Sequence, residues 1–518
     1  MPTTPAEPTP STVPAPAPTK HRRRKITRTK VAVSAALAAG VAGGVLVSAN
    51  AATTAAAALP ASATGDSRTV VEPKVPSTVC KTLTAGLSMT SRKSDAAKEA
   101  APPDTARIQA ALDACKQSGT GTVAVKLTAS TSTSSSTAAK AAFLTGPVTV
   151  PQGVVLLLDT GVTLYGSLNA ADYQVTGKPT CGTVTTDSGG CKALITVSGA
   201  NAGVESVRAS GGAQGTIDGR GDMTLYGKSV TWWALATQAK TESRNQNNPR
   251  MIQAVKANNF TLYNINLVNS ANFHVSFQNA TGFTAWGVRI KTPATARNTD
   301  GIDPAGATDV TIANSYVMTG DDGVAIKGGS AASKNITVKN SHFYGTHGIS
   351  IGSETTSGVS NVLVSNNTIT GTDTLGNASA SSVGLRVKSS AANGGKVSQV
   401  TYLSNCITKV KQPLVFDTRY SGGTGSSVPF FTGILVNGVR STASTANAKS
   451  VLTGYDAARP LGLTLANVSL DTTALTASYA SVGLYNTNLT PSGTGVTTST
   501  LTGSGTVPTC TFPSYPAL

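Results

Sequence analysis

Short runs of alternating apolar residues recur along the middle of this chain at a nearly fixed interval, and that recurrence limits the folds open to it. Phe260-Thr-Leu262, Phe283-Thr-Ala285, Val310-Thr-Ile312, Ile336-Thr-Val338, Val362-Leu-Val364 and Val400-Thr-Tyr402 begin 23, 27, 26, 26 and 38 residues apart. A self-similar period of this size marks a solenoid, in which each unit buries its apolar face only against its neighbours. No ten-residue helical pattern lies between the runs, which disfavours leucine-rich or βαβ units. Asparagine follows most of them, as in Asn340-Ser341 and Asn366-Asn367. Asparagine tolerates the left-handed backbone of a tight turn and can stack as a side-chain ladder. The expected fold is all-β, a single-stranded parallel β-helix continuing through Ile434-Leu-Val436 and Leu463 to Val468.

A chain of 518 residues would by length alone hold about three domains, but the repetition argues for one long one. Its 52 glycines and 13% charged residues suit a turn-rich β protein. The segment Asp104 to Lys116 is the one convincing amphipathic helix, with Ile108, Ala111, Leu112 and Cys115 on a stripe. Such a helix would cover the open end of the stack, where strand edges are unpaired. Residues 1–51 carry His21-Arg22-Arg23-Arg24-Lys25, an apolar run from Val31 to Val47 and Ala49-Asn50-Ala51. That is the order of an export signal, and the run is short for a retained anchor. No stable membrane association is expected after cleavage. Residues 52–77 read as a low-complexity linker, 78–518 as the β-helix domain, and Thr128 to Ala142 as a flexible surface insertion. Six cysteines in an exported chain allow fifteen disulfide pairings. Cys181 with Cys191 is the best local pair, leaving Cys80–Cys115 and Cys406–Cys510.

The formal charge is +17, of which residues 52–518 carry +11. A basic cleft concentrates an acidic ligand. Nucleic acid is disfavoured, because no dense Lys/Arg run or interleaved aromatic platform follows the leader. A metal cluster and a cofactor are not expected, with no CxxC spacing and four histidines in all.

Three segments repeat one pattern: Asp300-Gly-Ile302, Asp322-Gly-Val324 and His347-Gly-Ile349 each set a polar residue two places before the first aliphatic one. In a β-helix these would stack on one face at about the 4.8 Å inter-strand spacing. The inward series Val275, Ile302, Val324, Ile349, Leu385, Leu414 then turns Arg386 and Lys388 outward on that face. Taken singly, Asp in Asn-Thr-Asp-Gly or Gly-Asp-Asp-Gly is turn chemistry, and His274 and His342 read as satisfied structural groups. Jointly, acids brought to one height raise one another's pKa and imply a use. Calcium is the competing use, which the adjacent Arg386 and Lys388 oppose. Close carboxylates around a bond can protonate a leaving oxygen and activate water. Outward bases can pair with a carboxylate on the substrate.

NTDGIDP, GDDGVAIK, THGISIGS and GLRVKS, in that order, resemble the four motifs of the polygalacturonase family, glycoside hydrolase family 28. The upstream Gly215 to Gly221 segment and Trp232-Trp233 resemble it too, and the match covers most of residues 78–430. The resemblance implies a right-handed parallel β-helix that hydrolyses pectic galacturonan with inversion. It implies Asp321 as general acid, Asp300 and Asp322 holding the water, and His347 tuning the acid or the bound sugar. Arg386 and Lys388 would bind the galacturonate carboxylate, with Tyr420, Asn298 and Asp303 also contacting substrate. The expected partner is an acidic polysaccharide, met outside the cell by a monomer. Thr346 stands where the family has glycine, and would narrow a subsite or alter the loop beside His347. The rival readings are a related pectin-acting hydrolase (on rhamnogalacturonan or xylogalacturonan), a calcium-dependent pectate lyase-like eliminase and a non-catalytic polysaccharide-binding β-helix.

Overall fold

The computed structural model describes residues 56–130 and 140–518. The export signal and most of the Ser/Thr insertion therefore lie outside the described residues. The rest is a parallel β-helix. One wall is an 11-stranded sheet running from Val148–Val150 to Leu475–Ser478. The other walls join into a 22-stranded sheet. The repeats seen in the sequence are register partners: Phe260 pairs with Phe283, then Val310, Ile336, Val362 and Val400 in turn. The column continues to Ile434 and Leu463. All eight residues are buried. The Phe260 and Phe283 rings stack at 5.2 Å and the Phe277 and Phe283 rings at 4.9 Å, so each coil rests its apolar face on the next.

The turn asparagines do stack. Asn335 and Asn361 sit at φ 57° and 53°, and Asn361 Nδ2 donates to Asn335 Oδ1 at 3.0 Å. Asn335 Nδ2 in turn donates to Asp309 Oδ1 at 3.0 Å. Further along, Asn486 donates to Asn467 and Asn467 to Asn437, both at 2.8 Å. Each amide meets a partner one coil away, which is how buried polar groups avoid a desolvation penalty.

Three helices interrupt the coils: α1 (Ala96–Ala100), α2 (Thr105–Ala114) and α3 (Trp232–Thr241). In α2 the expected Ile108, Ala111 and Leu112 are buried. Its Gln109 side chain both donates to and accepts from the Thr149 backbone, at 3.1 and 2.7 Å. Thr149 lies on the outermost strand of the 11-stranded sheet, so the amide stands in for a missing neighbour. Helix α3 escaped the sequence reading. It starts at the Thr231 cap, whose hydroxyl accepts from Ala234 N–H, and it buries Trp232, Leu235, Ala236 and Ala239. The disulfides are Cys80–Cys115, Cys181–Cys191 and Cys406–Cys510.

The stretch read as a linker differs from that reading: the compact unit begins at Ala56. Ala57 and Leu59 pair with Thr502 in the last coil at 2.8 and 3.1 Å. From there the chain crosses the outside of the solenoid, touching Thr401, Asn361, Thr337 and Asp309. Arg68 donates to Phe283 O at 2.9 Å, and Glu72 accepts from the Tyr263 hydroxyl at 2.8 Å. Val79–Thr84 then enters the first coil beside Val123–Thr128. This strap is held by hydrogen bonds rather than apolar burial, which is why its composition gave no sign of order. No helix among the described residues is long and apolar enough to cross a membrane.

Candidate active site

Six successive strands of the 11-stranded sheet build the site: Ile252–Val255, Val275–Gln278, Ile302–Ala305, Val324–Ile326, Ile349–Ile351 and Val383–Lys388. Ile252, Val275, Ile302, Val324, Ile349 and Leu385 pair in sequence, and all are buried. Counting back two residues from each gives Arg250, Phe273, Asp300, Asp322, His347 and Val383. Asp300, Asp322 and His347 thus occupy equivalent positions on adjacent coils. Arg250 and Phe273 belong to the same column, and the spacing rule that found the acids also picks them out. Gly348 follows His347 at φ 88°, and a Cβ there would lie 2.3 Å from Gly384 O. The coils approach that closely only because the residue is glycine.

Asp321 and His347 are in contact, Oδ1 to Nδ1 at 2.9 Å. Asn298, in the left-handed region at φ 54°, donates to Asp321 Oδ2 at 3.4 Å. Asp322 accepts from Lys388 Nζ and from Ser350 Oγ, each at 2.7 Å. Arg386 lies 3.7 Å from the same carboxylate. Tyr420 covers this end, its ring centroid 5.1 Å from the Arg386 guanidinium carbon and 5.2 Å from Lys388 Nζ. Asp303 Oδ2 is held by Lys327 Nζ at 2.9 Å. Asp300 Oδ1 and Arg386 Nη1 and Nε are buried with no hydrogen-bond partner among the described residues.

The electrostatics divide the acids. Burial, then the charges of Asp321 and Asp303, push Asp300 well above the carboxylate range. Burial also raises Asp303, to about 6, against the pull of Lys327. Asp321 goes the other way. Burial opposes its ionisation, but the His347 hydrogen bond and charge, with Lys388 behind them, outweigh that and hold it below the ordinary range. Such interacting groups titrate as a set rather than singly.

The structure adds detail to three of the sequence expectations. Arg386 and Lys388 share the outer face as expected and are buried, at 4% and 6% exposure, with Lys388 paired to Asp322. Asp303 is buried too, one oxygen held by Lys327 and the other without a partner among the described residues. The Thr346 side chain is fully buried, and its hydroxyl accepts from Gly348 N–H at 3.0 Å, so it shapes the turn without intruding beside His347. His274 is structural as read: its ring bonds Asp300 O and Thr292 Oγ1, and burial lowers its pKa to about 4. His342 likewise bonds Thr368. Ser350 and Lys327 were not singled out by the sequence. Their signal was register alone, since each sits one coil from an acid.

Asp321, Asp322 and His347 offer ligand atoms within 4.8 Å of one another, the geometry a cation would ask for. Both oxygens of Asp322 are already engaged, one by an ammonium group. A cation would have to displace that charge. The set fits a metal poorly and suits proton transfer beside an anion-binding end.

Comparison with known proteins agrees with this architecture. Residues 129–489 match the model of glycosyl hydrolases family 28. A polygalacturonase of Ralstonia solanacearum is 40% identical over 469 residues, covering 81% of this chain and 84% of that one. An endo-polygalacturonase of Pectobacterium carotovorum subsp. carotovorum is 42% identical over 408 residues, covering 78% and 90%. Among solved structures, a polygalacturonase from Erwinia carotovora ssp. carotovora superposes with a TM-score of 0.68 at 40% identity, over 80% of this chain and 99% of that one. The family match spans the whole acid column and the strand that carries Arg386 and Lys388, so this chain belongs to glycosyl hydrolases family 28 and is a glycosidase.

Proposed function

We propose that this chain is an exported polygalacturonase that hydrolyses α-1,4-galacturonosyl linkages with inversion, as a monomer and without a cofactor. One observation carries the reading: three carboxylates and a histidine meet on one face directly beside Arg386, Lys388 and Tyr420. Asp321 is the general acid, and Asp300 and Asp322 hold and activate the water. Single displacement divides the work in this way, one carboxyl protonating the leaving oxygen while others activate a water. In the free site the His347 contact favours the ionised form of Asp321, while burial favours the protonated form of Asp300. The cluster thereby carries a transferable proton. Sugar binding displaces water, loosens the Asp321–His347 contact and moves that proton to the acid facing the leaving oxygen. Arg386 and Lys388 bind the carboxylate of a galacturonate unit through charge-assisted hydrogen bonds, with Asn298 and Tyr420 bordering it. Export is supported by the signal pattern in residues 1–51 and the three disulfides.

The test is product analysis on polygalacturonate in the presence of a calcium chelator. Saturated reducing ends of inverted anomeric configuration are expected. Unsaturated products absorbing in the ultraviolet, or activity abolished by chelation, would replace hydrolysis with elimination.

A further inference from the structure

The acids have a second basic neighbourhood, on the side away from Arg386. A groove of about 490 Å³ is lined by Lys240, Arg244, Arg250, Phe273, Arg297 and Asn298, with no carboxylate among its lining residues. Lys240 and Arg297 also line the pocket that holds Asp321 and His347, so groove and acids form one continuous surface. Arg250 is fixed by stacking on Phe273, its guanidinium carbon 5.1 Å from the ring centroid. Burial lowers its pKa, and the charges that oppose this are Asp303 and Asp300, further along the sheet. Two acids border the groove: Glu242, 3.5 Å from Arg244, and the catalytic Asp321, 3.4 Å from Asn298. A partly buried guanidinium set over a ring, with no ion pair among the described residues, suits a planar anion.

Register gives its distance from the chemistry. Arg250 occupies the acid column two coils before Asp300, about 10 Å away at the usual strand spacing. Arg386 lies on the third coil beyond Asp300, so the two arginines are separated by about 24 Å. No single sugar reaches both. Resting on the galacturonan reading above, we infer that Arg250, with Lys240 and Arg297, binds the carboxylate of a galacturonate unit on the far side of the scissile bond from Arg386. That unit lies about two sugars from the bond, given the coil count. Substrate then runs across the acids with charged anchors on both flanks, which selects internal bonds of a chain of several units.

The experiment compares wild type with Arg250→Ala, Arg250→Lys and Lys240→Ala on galacturonate oligomers of two to six units, labelled at the reducing end. Arg250→Ala should lower kcat/KM on the hexamer on the order of tenfold, the worth of one charge-assisted hydrogen bond. It should also shift which bond is cut, while the shortest cleavable oligomer is processed as by wild type. Arg250→Lys should recover part of the loss, and the exposed Lys240→Ala should repeat the pattern more weakly without disturbing the fold. Calorimetric binding of the hexamer to Asp321→Asn, with and without Arg250→Ala, reads the anchor without turnover. An equal loss at every length, or an unchanged hexamer pattern and affinity, overturns the assignment. Wild type failing to cut or bind galacturonan at all would instead sink the parent reading.

Discussion

The same solenoid stacks polar side chains in two places, and the two stacks behave oppositely. Along the turns, Asp309, Asn335 and Asn361 pass hydrogen bonds from coil to coil, and each amide finds a partner at 3.0 Å. On the 11-stranded sheet, Asp300 and Asp322 sit on adjacent coils with Asp321 and Asp303 close by. There Asp300 Oδ1, Asp303 Oδ1 and two nitrogens of Arg386 lack partners. Geometry is shared, while chemistry differs. An amide carries both donor and acceptor, so a column of amides completes itself. A column of carboxylates has only acceptors and like charge, so it must borrow protons or cations. The solenoid's repeat therefore yields stability where the stacked residue is self-complementary, and reactivity where it is not.

Four substitutions would break or sharpen that contrast. Asp321→Asn should cost on the order of 10²-fold or more in kcat on polygalacturonate, the usual worth of a general acid, with only a modest fall in melting temperature from loss of the His347 contact. A melting loss matching the activity loss would make Asp321 structural instead. Asp300→Asn should also lose most activity, yet gain stability at alkaline pH. The folded pKa of Asp300 is raised, so the folded state binds more protons than the unfolded one above the normal carboxylate range. Stability then falls as pH climbs from about 4 through the raised pKa, and Asp300→Asn should flatten that fall in a melting curve series. Asp321 has the opposite sign: its lowered pKa stabilises the fold at and above neutral pH, and that contribution is lost as pH falls below the ordinary carboxylate range. Lys388→Ala should weaken binding on the order of tenfold, and more for de-esterified than for methylated pectin. Equal losses on both would deny it a carboxylate partner. Smallest, Asn335→Ala should cost about 1 kcal/mol for each hydrogen bond lost, read by urea unfolding, and leave kcat untouched. A kcat effect from the ladder would erase the distinction between the two stacks.

The sequence exposed what repeats. Val275, Ile302, Val324, Ile349, Leu385 and Leu414 are one inward column because burial forces each coil to spend its aliphatic residues the same way. That alternation also placed Arg386 and Lys388 on the acid face. The acid column includes Arg250, two residues before Ile252, but alternation says nothing of Lys240, which lies in helix α3, or of Arg297, which lies in a connection. Helix α3 does carry a helical stripe, Trp232, Leu235, Ala236 and Ala239, but two of the four are alanines, so its apolar signal is weak. The strap over residues 56–77 was misjudged for a related reason. Pattern reading detects apolar burial, and this segment is tied by backbone groups and hydroxyls.

That strap has a thermodynamic consequence for the whole molecule. A linear array of coils can peel from either extremity, one unit at a time, because each unit answers only to its neighbours. Here a covalently continuous segment joins the Thr502 coil to the Val79 coil, so the array is looped back upon itself. Peeling at the tail must first release residues 56–59, and the strap beyond them stays tied to the middle coils at Thr401, Asn361, Thr337, Asp309 and Tyr263. Fraying of the last coil is thereby opposed by contacts that the linear array alone would lack.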